Sequence, residues 1–294
     1  MTLVSTTYVG AAAMAGEDPL AGGRWSAGFA FSIPLMTILL SHELGHFFAG
    51  RYHGIDVSAP YFIPMPVFLL GTMGAVIVIR GPIRTRNALL DVGASGPLIG
   101  LLVALPVLVY GLLESPVQPI PDAPVLIEGR SILYVALLYL TKGPIADGYD
   151  VFLTPTALAG WAGLWVTMLN LIPVGQLDGG HVAYALFGER QQSLSRRFRA
   201  ALPWLAAGVG LAYAASAYAR GKQGDALVGE LQAGLPWLVW WVVLGLMRRM
   251  SPEEHPPTDA GPLSAPRKVV AQVTLGLLLL LFMPAWLRVS SGAP

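Results

Sequence analysis

The chain has 294 residues, 54% of them hydrophobic and 12% charged, with a mean hydropathy of +0.61 and a formal net charge of +1. Soluble domains carry about 25% charged residues, so this is the composition of a polytopic membrane protein; near-neutral charge without a dense basic run excludes nucleic acid as an expected partner. Cysteine is absent, which excludes a disulfide framework and Cys-based zinc sites and leaves His, Asp and Glu to hold any metal.

Residues 1–23 lack the basic start of a signal peptide and carry Glu17 and Asp18, so membrane insertion is expected to come from the spans themselves. Stretches of about 20 apolar residues are the unit to count. The first covers about residues 25–50 and holds His42-Glu43-Leu44-Gly45-His46. The second, about 88–113, opens with Asp91-Val92-Gly93-Ala94-Ser95-Gly96-Pro97. The third, about 155–174, is broken near its end by Asn170 and Pro173 and is followed by Asp178-Gly179-Gly180. Three more are expected at about 200–218, 231–247 and 269–287.

Residues 57–80 resist a spanning assignment. Pro60, Pro64 and Pro66 exclude a regular helix, and the β-branched run after Gly71-Thr72-Met73-Gly74 reads as a strand. Non-helical backbone at membrane depth needs protein cover or a wet cavity, so a re-entrant β-hairpin beside the active site is expected. Residues 131–140 are too few to span and read as interfacial, and the Pro-rich stretch 251–266 reads as an exposed inside loop. Twelve basic residues fall in the loops of one side and six in those of the other. The positive-inside rule then sets the N-terminus outside and the histidine pair toward the cytoplasm. The expected fold is all-α and polytopic, with about six transmembrane helices and the re-entrant hairpin. It forms a single integral membrane domain over 1–294, with a catalytic core of about 25–187 and C-terminal spans over about 200–288.

Two imidazoles four residues apart share a helix face, about 40° from alignment, so His42 and His46 can bind one metal. The carboxylate of Glu43 beside them can take a proton from water that the metal acidifies. Ionisable groups inside an apolar span cost several kcal/mol, which favours a functional reading over a bland one. A third ligand is needed, and the candidates are Asp178, His181, His53, Asp56 and Asp91. A zincin frame ending in a third histidine would need Gly at 49 and His at 52; the chain has Ala49 and Tyr52. That one-residue shift turns His53 about 100° off the face, and Gly50 is expected to end the helix first. Asp178 is the preferred ligand, because it follows a span at matching depth and its glycine neighbours permit close approach. The competing reading makes it a cap for a helix beginning at Gly179. Asn170 either caps a frayed end or binds substrate backbone, and Gly93, Gly96 and Pro97 serve helix packing with a secondary role in shaping the cleft.

The motifs H-E-L-G-H at 42–46, G-A-S-G-P-L-I-G at 93–100 and N-L-I-P-V-G-Q-L-D-G-G-H at 170–181 resemble the site-2 protease family of intramembrane zinc metalloproteases. Pro60 to Pro64 and the run from Gly71 to Val76 resemble its minimal bacterial and plastid branch. The resemblance implies one zinc on His42, His46 and Asp178, with Glu43 as general base. It further implies that Asn170 and Pro173 with Gly71, Thr72, Met73 and Gly74 contact the substrate. The loop at about 114–154 is too short for the PDZ domain of many relatives. The implied activity is cleavage of transmembrane protein substrates near the cytoplasmic face of a bacterial inner membrane. A metal transporter and an inactive scaffold are the alternatives. Sparse polar residues in the last spans count against the first, and an intact Glu43, His pair and Asp178 against the second.

Overall fold

Two long helices that lie against each other carry most of the site. The computed structural model describes residues 1–15, 25–81, 83–121, 123–250, 258 and 261–290. The exposed loop expected at 251–266 falls largely outside them.

Helix α1 (Thr2–Ala15) runs against α2 (Trp25–Tyr52). Gly28 allows the approach, since a β-carbon there would lie 2.9 Å from Thr7 Cγ2 and nearer still to the Thr7 carbonyl oxygen. Thr6 and Ser32 pair their hydroxyls across the contact. Hairpin strands β1 (Tyr61–Pro64) and β2 (Thr72–Val76) pair antiparallel, Tyr61 with Val76 and Phe62 with Ala75. The turn between them bonds Gly71 N–H to the Phe68 carbonyl at 2.8 Å. Its backbone is then held by α1, with Ser5 Oγ donating to the Gly71 carbonyl at 2.7 Å and Thr2 Oγ1 to that of Phe62 at 3.3 Å. Gly71 needs its positive φ of 73°, and a side chain there would strike α1 backbone.

Helix α3 (Arg86–Glu114) starts at the Thr85 cap, whose hydroxyl accepts from Ala88 N–H at 3.1 Å. A cap layer follows, made of β3 (Val117–Pro119), β4 (Val125–Glu128), α4 (Ile132–Lys142) and β5 (Tyr149–Val151). β3 pairs with β5, and β4 pairs with β6 (Leu287–Ser290) near the far end of the described chain. Helix α5 (Pro155–Asn170) returns toward the site, and α6 (Asp178–Phe187) follows. Then come α7 (Arg190–Ala219), α8 (Asp225–Leu231), α9 (Leu235–Met250) and α10 (Ala265–Leu281). The main apolar core lies between α2, α3 and α5, where Leu35, Ile38, Leu108, Trp161, Leu164 and Met168 are fully buried.

Among the described residues four helical stretches are long and apolar enough to cross a membrane: Trp25–Tyr52, Arg86–Glu114, Arg190–Ala219 and Asp225–Met250. Large apolar side chains such as Ile33, Leu102, Leu211 and Val242 stand exposed on all four, as on lipid-facing helices. The spans expected at about 25–50, 88–113, 200–218 and 231–247 fall on these four. Helices α5 and α10, with 16 and 17 residues, are too short for the count; α5 is largely buried by its neighbours. Among the described residues six short strands form three two-stranded sheets, two more than the single hairpin expected in an otherwise helical fold. Paired strands within 57–80 and a short apolar helix at 131–140 were both expected; α1 and the cap strands were not. Helix α2 also runs past Gly50 to Tyr52.

Candidate metal centre and cleft

His42 and His46 lie one turn apart on the buried face of α2, with 5% and 6% of their surface exposed. Asp178 comes to them from the first residue of α6. His42 Nε2 is 3.1 Å from His46 Nε2 and 3.1 Å from Asp178 Oδ2, and His46 Nε2 is 3.3 Å from Asp178 Oδ1. A tetrahedral zinc with bonds of about 2.0 Å separates its ligand atoms by about 3.3 Å. The triangle therefore fits one such ion without rearrangement.

Each arm is oriented by its surroundings. The Nδ1–H of His46 donates to the Val92 carbonyl of α3 at 2.7 Å, which leaves the Nε2 lone pair for a metal. Space for the rings is made by α3 glycines. A β-carbon on Gly96 would lie 2.6 Å from His46 Cδ2, and one on Gly100 3.1 Å from His42 Cβ and Nδ1. Gly93 meets the His181 Cβ at 2.8 Å. The glycines thus do more than pack helices, because two of them border the metal-binding rings directly. On the other arm, Pro173 cannot continue α5, and Gly179 lets α6 begin against the Leu171 carbonyl. The cap of α6 is Leu177, which gives no side-chain bond, so Asp178 is not spent on capping.

The other sequence candidates lie outside the triangle. His53 Nε2 lies 2.7 Å from Asp91 Oδ2, and Asp91 also takes a two-pronged pair from Arg267 of α10 at 2.6 and 2.9 Å. His181 follows Asp178 by almost one turn of α6 but stands outside the three-residue group, as does Asp56. A further polar group sits in the cap: burial holds the Glu128 carboxyl above the usual range, although the Tyr134 hydroxyl donates to it at 2.8 Å.

Glu43 stands beside the triangle in a cleft of about 190 Å³. Its walls include Thr72, Met73 and Gly74 of β2 and Asn170 at the end of α5, so four of the expected substrate-contacting residues meet there. Pro173 and Gly71 are not among its walls; Pro173 follows the end of α5, and Gly71 closes the hairpin turn. In a two-stranded sheet one edge of β2 is left unpaired. Phe68, Trp165 and Trp240 also line the cleft. Their sequence carried no signal, because aromatic residues are common in any apolar chain.

Residues 30–213 match the model of peptidase family M50. The chain is 34% identical over 160 residues to "Probable zinc metalloprotease EGY2, chloroplastic" of Oryza sativa subsp. indica, covering 53% of this chain and 29% of that protein. To "Probable zinc metalloprotease EGY1, chloroplastic" of Arabidopsis thaliana it is 27% identical over 257 residues, covering 86% of this chain and 42% of the relative. It therefore spans less than half the length of these relatives. No solved structure matches.

Proposed function

Because this chain belongs to peptidase family M50, the site-2 protease family of zinc metalloproteases, we propose that it is an intramembrane zinc endopeptidase cutting the transmembrane segments of membrane-anchored proteins. The observation that carries the reading is the convergence of His42, His46 and Asp178 at tetrahedral spacing with Glu43 beside them in a walled cleft.

His42, His46 and Asp178 would hold the zinc. When bound it supplies Lewis-acid polarisation of the scissile carbonyl and acidifies water. The Glu43 carboxylate takes a proton from the attacking water and delivers it to the leaving amine nitrogen. A transmembrane substrate hides its carbonyls in helical bonds, so the segment to be cut must first unwind. The open edge of β2 at Thr72–Gly74 replaces those bonds by strand addition, and the Asn170 amide holds the backbone from the other wall. A two-to-one excess of basic residues on the histidine side of the membrane supports a cytoplasmic-side cut. On that orientation the product is a cytosolic fragment; the reading further takes the hairpin as re-entrant and the membrane as a bacterial inner membrane.

Glu43→Gln is the test. Zinc should stay bound while cleavage of a membrane-anchored substrate in proteoliposomes falls by about 10²- to 10⁴-fold. Cleavage at the normal rate would overturn the assignment, and zinc flux through vesicles unaffected by Glu43→Gln would point to a transporter instead.

A further inference from the structure

The cleft beside His42 and Glu43 is not the largest space in the molecule. On the cap side a groove of about 640 Å³ runs between the hairpin turn, β4, α8 with the start of α9, and β6. Phe68 and Trp165 are walls of both groove and cleft, so the two spaces meet at an aromatic neck. The rings of Trp165 and Trp286 lie 5.3 Å apart there, and those of Trp240 and Trp286 6.3 Å apart.

The hydrogen bonding of this neck is unusual. The indole N–H groups of Trp165, Trp240 and Trp286 are all buried, and none has an acceptor among the described residues. Their neighbours behave normally: Trp161 donates to the Gly129 carbonyl at 2.8 Å and Trp237 to the Pro284 carbonyl at 2.6 Å. A buried donor without a partner costs about 1–3 kcal/mol, so three at one junction call for an acceptor. An unwound transmembrane segment has the opposite defect, carbonyls that have lost their donors. A lipid tail could fill an apolar groove but brings no acceptor along its length.

We propose that groove and neck receive the extended flank of the substrate on the cap side of the scissile bond. The indole N–H groups turn onto its carbonyls as it enters. The inference rests on the protease reading and adds a selectivity to it. The walls are mainly apolar, and their one close ion pair, Arg288 with a buried Glu230 at 3.4 Å, is already satisfied. Apolar flanks are therefore selected and charged flanks rejected.

The test uses the full chain in proteoliposomes with two synthetic single-span probes of about 20 Leu and Ala residues, one carrying an apolar cap-side flank and one ending at the membrane edge. Val289→Trp fills the rim of the groove, and Trp286→Phe keeps an aromatic ring there while removing the N–H with the pyrrole half of the indole. For Val289→Trp the ratio of flanked to flankless kcat/KM should fall about tenfold, equivalent to about 1.4 kcal/mol. For Trp286→Phe it should fall about threefold to tenfold. Zinc content reports intact folding; if Val289→Trp loses zinc, Leu126→Trp on the paired strand β4, directly across from Val289, replaces it. An unchanged ratio, whether both probes slow together or neither does, overturns the groove proposal. Cleavage of both probes by Glu43→Gln would instead overturn the protease reading beneath it.

Discussion

Replacing Gly96 with alanine adds one methyl group and should empty the metal site. That carbon would lie 2.6 Å from His46 Cδ2, and closer to Nε2 and Cε1. Ordinary carbon contacts are about 3.5–4.0 Å, so the ring would have to retreat by about 1 Å. Neither obvious escape is open. The ring is tied through Nδ1 to the Val92 carbonyl at 2.7 Å. The helices themselves already touch at Gly45, where a β-carbon would meet the Ser95 carbonyl oxygen at 2.7 Å. A displacement of about 1 Å takes Nε2 out of range of a bond about 2.0 Å long. Losing one of three protein ligands should weaken zinc binding by about 100-fold or more. Alanine is the better helix former by about 1 kcal/mol, so no loss of helix is expected to confuse the result. The assay is zinc per chain by mass spectrometry across a series of buffered zinc concentrations, with thermal melting in detergent alongside. Gly100→Ala, with a milder contact at 3.1 Å, should fall between; Gly276→Ala, with nothing within 4 Å, should bind zinc like the wild type. Unaltered zinc affinity in Gly96→Ala would refute the geometry argued for His46.

Two more outcomes follow from the same reading. Asp178→Asn should lose zinc in the same titration, whereas His53→Asn should keep it, because His53 is paired with Asp91; equal losses would mean that the third ligand is misassigned. In the cap, a Glu128 carboxyl held above the usual range favours its protonated form in the fold, so its stabilising contribution is complete at low pH and fades as pH rises through the folded value. The melting temperature should show this decline, and Glu128→Gln should remove it; identical slopes in both proteins would sink the idea.

The metal site was the most legible part of the chain, for a physical reason. Helical periodicity alone puts His42 and His46 on one face, and the one-residue misfit at Ala49 and Tyr52 dismisses His53 without coordinates. Asp178 could be favoured but not freed from a capping role, because caps depend on backbone angles that only the fold reveals. Hydropathy alone does not distinguish lipid from protein around a helix: α5 is as apolar as a span but is buried against α2 and α3. Strands of three or four residues, such as β3 and β5, are too short to leave a period-2 pattern, so the cap was invisible. Helix α1 was missed because its Thr2, Ser5 and Thr6 look like an irregular polar start. Their meaning depends on the hairpin carbonyls and the α2 hydroxyl they meet some 26 to 66 positions later.

His42 and Asp178 stand 136 positions apart in the chain. An ion gripped by both, and by His46, is a removable crosslink between α2 and α6 as well as a reagent. A ligand that binds only the native state adds about 2.7 kcal/mol of stability at one hundred times its dissociation constant. Zinc supply would then govern how long each copy of the protein survives. A zinc-starved membrane would hold fewer molecules, rather than the same number standing idle.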